Sequence, residues 1–133
     1  MNTNQGTPFL VLKEDYEALA AYLRNNEPEL KYEQLQAQKL SQKLQEAEVV
    51  SPNSFPMDVI RLRSKVKLRD ARSRMNREYS VVLPDQMLCK ETSVSVLTPL
   101  GKQMLGARKG DTLTVEAPTG KKYYLVYEVL HPL

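Results

Sequence analysis

Cysteine, histidine, tryptophan and glycine are all scarce in this chain of 133 residues, and the scarcities close off several kinds of chemistry. The single Cys89 cannot form an intramolecular disulfide and has no second thiol with which to share a metal. A reduced, cytoplasmic setting is therefore expected, with Cys89, after Met87-Leu88, a buried structural thiol rather than a nucleophile. His131 is the only histidine and nothing marks an orienting partner, so it reads as a strand-end residue and not a general base. Tryptophan is absent, and the five glycines form neither a Walker loop nor a dinucleotide-binding pattern. Gly101, Gly106 and Gly110 are spaced too loosely to cradle a phosphate. No stretch approaches the roughly 20 apolar residues needed to span a bilayer, and the opening Met1-Asn2-Thr3-Asn4-Gln5-Gly6 lacks the positive start and apolar run of a signal peptide. No enzymatic activity, cofactor, metal or membrane contact is expected, and a monomer is.

What is present is a soluble, globular balance, 41% hydrophobic and 26% charged, enough for one ordinary domain or a smaller domain with an appendage. The net charge of +3 is modest but unevenly spread. Residues 13–48 carry eight acidic and five basic side chains, whereas residues 61–77 carry eight basic and one acidic. An acidic end and a basic middle are implied.

Residues 1–8 read as a flexible tail. Leu12, Tyr16, Leu19 and Leu23 then fall four, three and four apart, a heptad-type seam, and Asn25-Asn26-Glu27-Pro28 breaks the helix. A second helix, beginning at Pro28, carries Leu30, Ala37, Leu40, Leu44 and Ala47 on one stripe. Two short amphipathic helices joined by a tight turn predict an antiparallel hairpin over residues 9–48. The favoured expectation is a projecting coiled coil, because residues 49–56, with two prolines and no period, read as a linker; the alternative is a layer added to a common core.

From residue 57 the period changes to two. Ile60, Leu62, Val66 and Leu68 alternate with Arg61, Arg63, Lys65, Lys67 and Arg69, which predicts a strand with one basic face. Five cations about 6.6–6.8 Å apart could track phosphates; the plainer account is a solvated face that resists edge aggregation. No aromatic residue interleaves there, so no base-stacking platform is predicted in this stretch. Further strands are expected over 78–83, 93–97, 112–117 and 122–130, the last two joined by a turn at Ala117-Pro118-Thr119-Gly120. Between them, residues 98–111 read as a short helix with both ends written in: Thr98 as N-cap, Pro99 at the first helical position, Leu100 and Met104 on one face, Gly106 at the C-terminal turn. The fold class is α+β, an antiparallel sheet with one short helix, preceded by the helical hairpin.

At the hairpin turn, Asn26, Glu27 and Glu29 surround Pro28. Two carboxylates on the tip of a rod could hold a divalent cation with a partner's help. Alternatively, glutamates near the start of the second helix simply favour its dipole.

Thr98-Pro99-Leu100-Gly101, Met104-Leu105-Gly106, Gly110-Asp111, Pro118-x-Gly120 and Tyr124 together resemble the C-terminal, FKBP-like domain of the Gre family of bacterial transcript-cleavage factors, over residues 57–133. Ser51-Pro52, Pro56-x-Asp58-Val59, Ser64-x-Val66-x-Leu68-Arg69-Asp70 and Val82-Leu83-Pro84 resemble the short branch of that family, the regulators of nucleoside diphosphate kinase, which carry a truncated coiled coil. The resemblance implies a docking domain seated on the rim of RNA polymerase's secondary channel and a coiled coil directed toward its active centre. In the family's cleavage factors an acidic pair at the tip helps hold a catalytic magnesium ion. Here Asn25-Asn26-Glu27-Pro28-Glu29 departs from that tip, and a helix of about 12 residues spans only about 18 Å. The expected role is a polymerase-binding regulator that does not stimulate cleavage, with Pro84, Asp85, Thr98, Pro99 and Leu100 at the rim and the basic face turned to polymerase or nucleic acid. Two alternatives stand beside it: a cleavage-stimulating factor acting through Glu27 and Glu29, and a nucleic-acid-binding module using residues 61–69. The FKBP-like fold also raises prolyl isomerisation, but no aromatic proline pocket is marked in the sequence.

Overall fold

Backbone signals place the helices a few residues from where periodicity alone puts them. The computed structural model describes residues 9–87 and 92–132; the tail 1–8 and Cys89 lie outside the described residues. Strand β1 (Leu10–Leu12) leads directly into α1 (Lys13–Asn25), so Leu12 is extended rather than the first seam residue. Glu14 and Asp15 sit in the first turn of α1, where carboxylates favour the positive end of the dipole. Helix α2 (Lys31–Gln45) starts three residues after Pro28, because the side-chain amide of Gln34 donates to the carbonyls of Pro28 (2.8 Å) and Glu29 (3.4 Å) and holds them as a turn. Leu30, expected on the buried stripe, is 64% exposed; the buried stripe is Gln36, Leu40 and Leu44, each one turn apart. Strand β2 (Glu48–Val50) returns beside β1 in parallel. Within residues 49–56, then, Val49 and Val50 are sheet-bonded, and Phe55 is buried against Leu10, Leu12 and Val59.

The remaining strands, β3 (Lys65–Asp70), β4 (Asn76–Val82), β5 (Ser93–Ser95), β6 (Thr112–Ala117) and β7 (Gly120–Leu130), form one sheet in the order β5-β4-β3-β7-β6. The pairs β3–β4, β3–β7 and β6–β7 are antiparallel, but β5 lies parallel to β4. The sheet is therefore mixed and not wholly antiparallel as expected, because β5 runs in the same direction as β4. The basic strand is also shorter than expected. The Ser64 hydroxyl, fully buried, accepts from the Arg61 amide (3.0 Å), the Ser64 amide donates to the Arg61 carbonyl (3.1 Å), and Arg63 takes φ +69°. That local turn delays the strand to Lys65.

Helix α3 (Pro99–Met104) has the ends expected of it. The Thr98 hydroxyl accepts from the Gly101 amide at 3.0 Å, Pro99 occupies the first turn, and Gly106 has φ +84°. Glycine is required at 101, since a Cβ there would lie 2.0 Å from the Ser95 carbonyl oxygen.

One apolar cluster joins Leu19 of α1 and Leu40 and Leu44 of α2 to Val66, Leu68, Val81, Met104, Leu105 and Val126. Three polar ties reinforce it. The buried Asp15 carboxylate accepts from the Leu62 amide (2.9 Å) with the Arg61 guanidinium 3.8 Å away. Lys102 donates to the Gln36 side chain. The Lys43 ammonium donates to the carbonyls of Lys102 (2.6 Å) and Leu105 (3.2 Å) at the C-terminal end of α3, and lies 4.5 Å from the centre of the Phe9 ring. The helical pair lies against the sheet-bearing part of the chain, the layered alternative and not a rod standing clear.

Burial lowers the Lys43 pKa from its ordinary 10.5 to about 8, with Lys102 adding repulsion. Between these values the unfolded chain binds more protons at this residue than the folded one, so stability rises with pH across the window. Relative to Lys43→Met, the native chain should gain on the order of 2–3 kcal/mol between pH 7.5 and 10.5 in denaturant titrations; a pH-independent difference would contradict this. Asp15→Ala leaves the Leu62 amide buried without its acceptor and should cost about 1–3 kcal/mol, while Asp15→Asn, which keeps an acceptor, should cost less. Gly101→Ala should lower stability by about 1–3 kcal/mol by pushing α3 off Ser95.

Candidate functional site: a cleft between the helical turn and the Pro84 loop

Strand β4 ends at Val82, and Pro84–Gln86 form a single 3-10 turn in which the Gln86 amide donates to the Leu83 carbonyl at 2.9 Å. Leu83 is buried beneath it, leaving Pro84 half-buried and Asp85 exposed. Nearby, the Thr98 hydroxyl both caps α3 and donates to the Ser95 carbonyl (2.7 Å), so it is held rigid. The end of α1 and the start of α2 reach the same place. A cleft of about 600 Å3 lies between Tyr22, Asn26, Glu27 and Tyr32 on the helical side and Pro84 and Thr98 on the other.

The cleft is acidic with apolar edges. Glu27 and Glu33 line it, and Tyr32 and Met87, also in its wall, are 59% and 38% exposed. The Tyr22 phenol is pushed above its ordinary pKa, first by burial and then by the carboxylates of Asp85 and Glu33. A cationic surface bearing apolar side chains would complement both features.

Residues expected at two distant sites, tip and rim, thus share one cleft. Asn26, Glu27, Pro84 and Thr98 line it. Glu29 is exposed but lines neither this cavity nor the adjoining one between the helices. Pro99 is half-buried at the helix start, and Leu100 packs against the main core. Sequence reasoning missed Tyr22, Tyr32, Glu33 and Met87. Tyr22, three residues after Leu19, carried a signal, because it falls on the flank of the apolar seam.

The basic face is reduced from the five cations expected. Arg61 is turned inward to Asp15, and Arg63 lies in the left-handed turn before β3. Lys65, Lys67 and Arg69 alternate on the strand; Lys67 pairs with Glu128 (3.4 Å), while Arg69 accepts no free role, donating to Asn76 (3.0 Å) and lying 4.7 Å from the Tyr127 ring centre. His131 donates from Nε2 to the Val59 carbonyl (2.8 Å) with its ring 5.7 Å from that of Phe55, a structural tether. Among the described residues no group of three or more histidine, cysteine or carboxylate side chains stands together to hold a metal ion, and no helix is long and apolar enough to cross a membrane.

Comparison with known proteins agrees with the fold. A family model described as transcription elongation factor, GreA/GreB, C-term, matches residues 55–131. The regulator of nucleoside diphosphate kinase of Escherichia coli K12 is 35% identical over 67% of the chain and 65% of its own length. The transcription elongation factor GreA of a Nitratiruptor strain is 34% identical over 69% of the chain and 56% of its own length. The chain thus spans less than two thirds of these curated relatives. A prokaryotic transcription elongation factor GreA/GreB from Nitrosomonas europaea superimposes with a TM-score of 0.77 at 25% identity, covering 93% of the chain and 98% of that structure. By the matched domain and by these relatives, the chain belongs to the GreA/GreB family of transcription elongation factors.

Proposed function

We propose that the chain is a regulator of bacterial transcription that docks on RNA polymerase at the rim of the secondary channel and does not stimulate transcript cleavage. The cleft carries this reading: it merges the Pro84 loop and the helical turn into one acidic, partly apolar surface, with Asp85, Glu27 and Glu33 placed to meet cations and Tyr32 and Met87 to supply contact area. In this reading residues 57–133 are the FKBP-like docking domain and α1 and α2 the shortened coiled coil, in a cytoplasmic, monomeric protein with no active site of its own. The absence of cleavage stimulation is supported by the position of the tip. Glu27 faces the cleft and Glu29 lies outside it, and neither stands at the end of a free rod. The basic face receives less support as the primary interface, because Arg61 and Lys67 are engaged with Asp15 and Glu128.

Co-elution with bacterial core polymerase should be seen at micromolar protein and weaken about tenfold for Asp85→Lys, whose side chain is exposed and leaves the core untouched. No co-elution, or undiminished binding by that variant, would sink the docking surface. Mixed with magnesium and stalled, backtracked complexes, the protein should leave the RNA at full length; shortening that disappears in Glu27→Ala/Glu29→Ala would replace this reading with the cleavage-stimulating one.

A further inference from the structure

The opposite end of the sheet carries a second, chemically different groove. The β3–β4 connection and the β6–β7 connection meet there, since Asp70 pairs with Tyr124 and the Ala71 amide donates to the Tyr123 carbonyl at 3.0 Å. The first connection is held in shape: Asp70 Oδ1 accepts from the amides of Arg72 (2.7 Å) and Ser73 (3.1 Å), and Arg74 takes φ +62°. Cross-strand partners point to the same side of a sheet, so Tyr79 (opposite Val66), Arg77 (opposite Leu68) and Tyr124 (opposite Asp70) extend the face whose inner part is core. Burial falls away along that face, from Val66 and Leu68 to exposed Arg77 and Lys122.

Two adjoining cavities open there, of about 250 and 510 Å3, sharing Asp70, Ser73 and Lys122. The smaller is lined by Arg77, Tyr79 and Tyr124, the larger by Arg72, Lys121 and Tyr123. Four cations face one carboxylate, which is already engaged by backbone amides. Among the described residues none of these four cations makes an ion pair. Free cations beside aromatic rings in a concave, open-ended groove are what a flexible strand with exposed phosphates and unstacked bases requires. A duplex buries its base faces and would leave the tyrosines unused.

We propose that this groove binds single-stranded nucleic acid, with Arg77 and Lys122 on the phosphates and the accessible edges of Tyr79 and Tyr124, which share their face of the sheet, against the bases, while Arg72 and Lys121 meet the strand from the adjoining cavity. It is separate from the acidic cleft: Pro84 follows the far end of β4, a strand of seven residues beginning at Asn76 and therefore roughly 20 Å long. Both surfaces can be occupied together.

The test is fluorescence anisotropy of the whole chain with labelled twelve-nucleotide uridine RNA, thymidine DNA of the same length and a matched duplex. Single strands should bind at micromolar protein, with a log–log salt slope of about −0.7 per phosphate contacted. Comparison of the RNA and DNA arms identifies the preferred source of the strand. Arg77→Ala/Lys122→Ala should weaken binding about tenfold and flatten the slope, while the melting temperature moves little because both side chains are exposed. Lys65→Ala/Lys67→Ala should leave binding within about twofold. Ultraviolet crosslinks should map to Tyr79 or Tyr124. No binding at 100 μM, equal affinity for the duplex, crosslinks elsewhere, or a loss centred on Lys65 and Lys67 would each overturn the assignment.

Discussion

Leu19, Leu40 and Leu44 share one buried cluster with Val66, Leu68 and Met104, and the position of the helical residues that line the cleft depends on that packing. Each buried leucine contributes about 1.5–3 kcal/mol, more than either short helix could supply by itself in water. Directional bonds then fix the register of the layer. Asp15 meets the Leu62 amide near one end of α1, Lys43 caps α3 near the end of α2, and the strands β1 and β2 close the base of the helical pair. With its base and flank held, the turn at residues 26–30 comes to rest beside Pro84 and Thr98. The cleft follows from the core.

Much of this was legible in the sequence where one signal dominated. Thr98, Pro99, Gly101 and Gly106 each carry a local, nearly unique backbone role, so α3 could be read closely. The turn before Gly120 and the period-two alternation of Val66 and Leu68 were legible for the same reason. What stayed hidden depends on long-range partners. The parallel placement of β5 is decided by pairing with Ser80 to Val82, and the orientation of Arg61 by a carboxylate 46 positions earlier in the chain. Asp15 is one of two acids in the first turn of α1 and Lys43 one of several lysines on α2; nothing local tells that one accepts from Leu62 and the other sits under α3. Ser64 is the instructive miss, since a single hydroxyl competing for the Arg61 amide shortened a strand that alternation alone extends.

The sheet separates the molecule's chemistry. At the Pro84 end, carboxylates and exposed apolar side chains share a cleft built jointly by helices and loop. At the other end, cations and tyrosines line a groove made from two β connections. Opposite charge at opposite ends of one rigid sheet would orient the molecule between a cationic protein surface and a polyanion. In the proposed reading, the family's C-terminal domain is combined with a helical pair that would contribute to docking through its side and turn, not through reach.

Hydrogen exchange on the free chain and on its complex with core polymerase tests that central idea most directly. The account predicts that amides of residues 22–33 and 84–98 gain protection together on binding, while those of Lys65–Asp70 change little. Protection confined to the 84–98 segment, with the helical turn unchanged, or appearing instead along Lys65–Asp70, would contradict it.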